Sequence, residues 1–221
     1  MNYNNWLKER KNGLGGSHCA AILGLHPYMT NIDLWELKTG RKQPEDISEK
    51  EVVKYGQRAE APLRELFILD YPEYEVYHKE YDLQRSKEYP FLYGSLDGEL
   101  TEKSTKIEGI YEGKTSLIVK NSDFKKWNKQ IPQHYYCQLL HYFIIHPEKQ
   151  FAILKAQLKT EKMNDENFKE VKSYVKHYYF SRQKCEKDIS YLLQNEIDFW
   201  TNYVEKDVRP NLIVSANIED I

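Results

Sequence analysis

Three residues have the types and spacing to do chemistry: Asp97 in G-S-L-D-G, and Glu112 with Lys114 in Y-E-G-K-T. They lie in two short extended runs within residues 90–116, joined by a polar linker of about hairpin length. Residues two apart on a strand share a face, so Glu112 and Lys114 project together, and a paired strand brings Asp97 beside them. Two carboxylates and an ammonium at one spot make a Mg2+ site with an adjacent base or water-positioning group. The competing reading is a solvated, charged sheet face.

The flanking elements have to position this trio. Upstream, Ser17 is expected to cap a short helix, HCAAIL, that Gly24 ends. Thr30 opens T-N-I-D, a capping box with Asp33 at its third helical position, and that helix stops at Gly40. A further helix begins near Glu49, with Val52, Val53, Ala59, Leu63 and Phe67 at helical spacing and a kink or fresh start expected at Pro62. Glu60 lies beside this apolar stripe, either as an exposed carboxylate or as one brought over the trio. YEVYHKEYDLQR reads as one strand.

Downstream, residues 120–130 read as a basic loop in which Lys120, Lys125, Lys126 and Lys129 surround Phe124 and Trp127. This is either a nucleic-acid contact or a solvated loop with two aromatic anchors. Pro132 fits the first turn of the helix QHYYCQLLHYFIIH, with the polar Gln138 in its middle. FAILKAQL at 151–158 reads as a buried strand, and 164–172 as a polar stretch with room for a short helix. SYVKHYYF reads as an edge strand, and Glu186 to about Lys206 as an amphipathic helix that Pro210 ends. The chain reads as a single domain over 1–210 with a tail at 211–221, whose Ile213, Val214, Ile218, Glu219 and Asp220 suit either a frayed end or a partner-docking segment.

The 221 residues suffice for one sizeable core. A net charge of −2 does not advertise a nucleic-acid binder in bulk, but a local basic surface is compatible with it. Cys19, Cys137 and Cys185 are scattered and lack a C-x-x-C pair, which argues against a zinc ribbon or iron–sulfur cluster and for reduced thiols in a cytoplasm. No leader-like apolar stretch opens the chain and no run of 18 apolar residues occurs, so a cytoplasmic protein outside the membrane is expected, in the host cell if phage-encoded.

In order and spacing, the motifs resemble the YqaJ-like phage recombinase family, relatives of phage lambda exonuclease in the PD-(D/E)xK nuclease superfamily. The matches are G-G-S-x-x-A-A-I-L-G-L-x-P-Y at 15–28, D-L-W-E-L-K-T-G at 33–40, G-x-x-x-E ending at Glu60 and P-F-L-x-G-S-L-D-G ending near Asp97. E-G-K at 112–114, Y-x-x-Q ending at Gln138 and the Phe199–Trp200 pair complete the set. The resemblance implies an α/β (α+β) restriction-endonuclease-like core, a central mixed sheet flanked by helices. It also implies roles: Asp97, Glu112 and the Gly113 carbonyl as metal ligands, Lys114 positioning or deprotonating the attacking water, Glu60 completing the acidic cluster and Gln138 hydrogen-bonding within the site. Arg10, seven residues before Ser17, has the family's spacing for an Arg and Ser that hold a terminal phosphate. One departure is His18, where the family often has Asp after G-G-S.

The function implied is a Mg2+-dependent 5'-to-3' exonuclease on linear double-stranded DNA, with Mn2+ able to substitute. It would act at duplex ends, beside a single-strand annealing protein, as a homo-oligomer in the form of a trimeric ring. The alternatives are a PD-(D/E)xK endonuclease and a catalytically silent DNA-binding protein on the same fold.

Overall fold

A computed structural model describes residues 2–163 and 169–214. The chain opens with helix α1 (Tyr3–Glu9), strand β1 (Leu14–Gly15) and the short helix α2 (Cys19–Ile22). Helices α3 (Asn31–Lys38) and α4 (Glu51–Asp70) follow, then strands β2 (Tyr74–Tyr77), β3 (Gln84–Arg85), β4 (Leu92–Gly94), β5 (Gly98–Glu102) and β6 (Glu108–Leu117). After α5 (Asn121–Lys125) and α6 (Gln133–Ile145) comes a long hairpin, β7 (Phe151–Met163) and β8 (Lys169–Ser181). Helix α7 (Arg182–Phe199) runs on into a π-helical turn at Trp200–Val204.

The central sheet has the order β2-β5-β6-β7-β8, with β6 and β7 parallel and every other pair antiparallel. A small sheet, β1-β4-β3, sits apart from it. Alternation along the central strands divides the core between the two sheet faces. Ile110, Ala152, Leu154 and Ala156 join α2, α3, α6 and α7 on one face, while Tyr111, Phe151 and Ile153 meet Phe67 of α4 on the other. The fold is therefore mixed α/β, with helices on both faces of a mixed sheet.

Several expectations hold in detail. Thr30 and Asp33 form a reciprocal capping box, and Gly24 and Gly40 follow their helices in the left-handed region. Others are corrected. Residues 3–9 are helical, with Tyr3, Trp6 and Leu7 at helical spacing and the Asn2 side chain as their cap. Ser17 caps nothing, because the residue flanking α2 is His18 and it makes no side-chain cap. Helix α4 runs unbroken through Pro62. Pro62 and Arg58 lie on its exposed face, where water reaches the carbonyl that the proline leaves without a donor.

YEVYHKEYDLQR is two strands in two different sheets, separated by a turn in which Tyr81 adopts a φ of 53°. Residues 121–125 are helical, and Trp127 is a core residue, 2% exposed, whose carbonyl accepts from Lys176 and Tyr178. Pro132 stands just before α6 rather than in its first turn. Residues 169–172 belong to β8, while 164–168, the rest of the suggested short helix, lie outside the described residues. Helix α7 begins four residues earlier than expected, at Arg182. The start of the tail is tied down: buried Asn31 donates to the Asn211 carbonyl at 2.7 Å and accepts from the Ile213 N–H at 3.0 Å. Ile218, Glu219 and Asp220 lie outside the described residues.

Candidate active site

The site forms where the β5–β6 hairpin meets α4 and α6. Gly98 pairs with Tyr111, so Asp97, one residue before, stands opposite Glu112. The Gly113 N–H donates to Asp97 Oδ2 at 2.9 Å and locks the two chains at this point. Glu112 shares the sheet face of Ile110, toward α6, and is 1% exposed. A buried carboxylate is costly unless paired. Here Oε1 meets Lys114 Nζ at 2.5 Å and accepts from Gln138 Nε2 at 2.9 Å. Lys114 also lies over the Tyr135 ring, 5.2 Å from its centroid.

Glu60 comes from α4, and one turn further on Arg64 donates to the Asp97 carbonyl at 3.0 Å. Burial first, then Asp97, pushes the Glu60 carboxyl up to about 7. The same two causes, in the same order, raise Glu112 to about 8, with Lys114 pulling the other way. Burial works against the Lys114 ammonium, but Glu112 and Asp97 outweigh it and raise its pKa. The result is a crowded acidic cluster with one ammonium. Its carboxylate donors are all oxygen, and Glu112 Oε2 is buried with no hydrogen-bond partner among the described residues. Both features fit a hard divalent cation such as Mg2+.

A cleft of about 700 Å³ joins these groups to the N-terminal segment. Glu60, Asp97, Glu112, Lys114 and Gln138 line it, and so do Arg10 and Ser17. Gly113 contributes through its backbone, by the N–H already described. The Arg10 carbonyl accepts from Tyr93 Oη at 2.7 Å and from Lys38 Nζ at 3.3 Å. Gly13, with a φ of 148°, turns the chain between Arg10 and Ser17 where any Cβ would fall 2.1 Å from the Phe91 carbonyl oxygen. Burial and the nearby cations Lys38 and Arg10 hold the His18 pKa well below its ordinary value.

Sequence reasoning missed four residues here. Arg64 and Tyr142 each stand four positions after an identified site residue, Glu60 and Gln138, and that spacing is the signal that could have found them. Ser95 and Trp6 carry no such local signal. A second buried group, Cys19, His141 and Glu196, lies behind the cleft. There His141 bridges Glu196 and the Tyr93 carbonyl through its two ring nitrogens, which ties α6 to α7 and β4.

A family model for the YqaJ-like viral recombinase domain matches residues 5–150. The chain belongs to the YqaJ-like viral recombinase family. A curated relative, the uncharacterized protein YqaJ of Bacillus subtilis, is 28% identical over 225 residues, covering all of this chain and 62% of the relative. The chain thus spans less than two thirds of that relative's length. Among solved structures, the alkaline exonuclease LHK-Exo of Laribacter hongkongensis superposes with a TM-score of 0.55 at 13% identity, over 92% of this chain and 97% of that one. Its complex with dAMP gives a TM-score of 0.50 at 12% identity, with the same coverage. The shared fold is a central mixed sheet with flanking helices. No helix among the described residues is long and apolar enough to cross a membrane.

Proposed function

We propose that this chain is a metal-dependent deoxyribonuclease that degrades linear double-stranded DNA from its 5' ends. The observation that carries the reading is the convergence of Asp97, Glu112, Lys114, Glu60 and Gln138, from three separate parts of the chain, on one cleft that also holds Arg10 and Ser17. Asp97 and Glu112, with the Gly113 carbonyl as a third donor, would hold Mg2+, or Mn2+ in its place. When bound, the ion polarises a phosphoryl oxygen and acidifies a bound water.

Lys114, in contact with Glu112, positions or deprotonates the attacking water. Gln138 fixes Glu112 Oε1 in place. Glu60 closes the acidic cluster from α4. Arg10 and Ser17 take the terminal 5'-phosphate through charge-assisted hydrogen bonds. By family resemblance the working form is a trimeric ring that encloses the duplex and hands 3' single strands to an annealing protein.

The test is digestion of linear and covalently closed circular duplex with Mg2+. Loss of the linear form alone is the expected result. Nicking of the circle would favour an endonuclease, and no cleavage of either would favour a silent DNA-binding protein.

A further inference from the structure

The N-terminal helix is bound to the catalytic cluster by a continuous polar chain. Gln138 Nε2 uses one hydrogen on Glu112 Oε1 at 2.9 Å and the other on Tyr142 Oη at 2.7 Å. The Tyr142 hydroxyl passes its own hydrogen to the Ser95 carbonyl at 3.1 Å. The Ser95 hydroxyl oxygen then accepts from the Trp6 indole N–H at 3.0 Å. Each of these four hydrogens has an acceptor, and the directions are mutually consistent.

At the far end, the Arg10 guanidinium lies over the Trp6 ring, 4.2 Å from its centroid. Tyr81, in the left-handed conformation, packs edge-on against the same indole at 6.1 Å. A non-glycine residue in that backbone region is held there by its surroundings. Trp6 is therefore fixed at its N–H and at its edge, and it presents a ring face to Arg10. All of these side chains line the same cleft.

An Arg at the end of a seven-residue helix has many rotamers, and a terminal phosphate would have to order it. A ring held rigidly beneath the guanidinium does that ordering before the ligand arrives. Ser95 stands two residues before Asp97, so the group that anchors Trp6 also sets the approach of a catalytic carboxylate.

We infer that Trp6 is a specificity-determining positioning residue: it pre-orders Arg10 for a 5'-terminal phosphate and, through Ser95, keeps that pocket in register with the metal-binding carboxylates. This rests on the reading of Arg10 as the terminal-phosphate residue. Trp6 touches neither the scissile bond nor the metal ligands. Its loss therefore weakens recognition of phosphorylated ends beyond any general effect on duplex.

The test compares wild type, Trp6→Phe and Trp6→Ala on linear duplexes that differ only in a 5'-phosphate or 5'-hydroxyl, with KM and kcat measured separately. In parallel, equilibrium binding of the same duplexes in Ca2+ by fluorescence anisotropy covers any variant too slow to assay, and thermal melting confirms folding. Trp6→Ala is expected to raise KM for phosphorylated ends by about tenfold, the scale of a partly desolvated cation–π contact, and to shift hydroxyl ends several-fold less. Trp6→Phe keeps a ring but not the N–H, and falls between.

Equal changes on both ends, or no change on either, would overturn the inference and leave Trp6 a structural residue. If wild type cleaves linear duplex but treats both ends alike, the Arg10 pocket is wrong and the inference falls with it. A wild type with a clear preference that Trp6→Ala preserves defeats the inference alone.

Discussion

The Gly113 N–H reaches across the hairpin to Asp97 Oδ2 at 2.9 Å, so the residue between Glu112 and Lys114 is also the one that fixes Asp97. That bond determines which Asp97 oxygen is turned into the strand pair and which is left toward the cleft. A Cβ at Gly113 would sit 3.7 Å from Asp97 Oδ2 and 3.5 Å from the Tyr111 hydroxyl, both ordinary contact distances, so it is the backbone N–H that fixes the pair.

The first prediction follows from the division of labour around this bond. Asp97→Asn, Glu112→Gln and Lys114→Ala should each reduce duplex cleavage by at least about a thousandfold, because the first two weaken the ligands for the metal and the third removes the ammonium beside the attacking water. Circular dichroism and melting should show folded protein in each case. A Glu112→Gln protein that digests linear duplex at the wild-type rate would refute the assignment of the site.

That trio was legible in the sequence because a strand repeats every two residues, and the E-G-K spacing survives any small error in strand ends. Gln138 was placed on the right helix, but nothing local distinguished its hydrogen bond to Glu112 from ordinary exposure. Trp6, Ser95 and Tyr142 were hidden because their bonds span 89 and 47 positions in the chain, and no periodicity encodes such separations. The turn at Tyr81 was hidden as well. YEVYHKEYDLQR has no Gly or Pro to mark a break, yet its end pairs with β4 in another sheet. Ser17 looked like a helix cap by type, but the short α2 follows His18, and the Ser17 side chain faces the cleft.

Arg64 gives a second prediction. It donates to the Asp97 carbonyl and offsets part of the acidic cluster's repulsion on Glu60. Arg64→Ala should therefore lower cleavage by about tenfold to a hundredfold through a misplaced Asp97, with a higher Mg2+ requirement. Arg64→Lys should recover only part, since a point charge lacks the guanidinium's fixed fork. A Mg2+ titration of all three proteins decides it, and superimposable curves would count against a positioning role.

A third prediction concerns the end of the described chain. Asn31 is 1% exposed, and its amide satisfies both the Asn211 carbonyl and the Ile213 N–H. Asn31→Ala leaves both backbone groups short of a partner and should cost roughly 1–3 kcal/mol in urea unfolding. It should also expose the chain after Pro210 to limited proteolysis. An unchanged cleavage pattern would mean that this contact does not hold the segment.

The last prediction is a pH dependence of stability centred on His134. The groups facing it are Tyr135, with ring centroids 4.0 Å apart, His26 at 6.3 Å, and the cations Lys114 and Lys126. Burial, then His26 and the two lysines, holds the His134 pKa down to about 4. An unfolded chain protonates the same imidazole near 6.5. Between these values the unfolded state binds the extra proton and the folded state does not, so the contribution of His134 to stability falls as pH is lowered from about 6.5 toward 4, against the raised carboxyls of Glu60 and Glu112, which act in the opposite sense. His18 is shifted in the same direction and adds to the loss. His141 runs the other way: burial opposes its charge, but Glu196 outweighs burial and raises its pKa, so its contribution is present below the unfolded value and is lost as pH rises through the folded one. The two effects are separable with His134→Asn, which removes the titrating group without touching His141. Melting curves at constant ionic strength from pH 7 to 4 should show the wild type losing stability more steeply than the variant. If the two profiles run parallel, His134 titrates alike in both states and the half-buried, neutral imidazole is wrong.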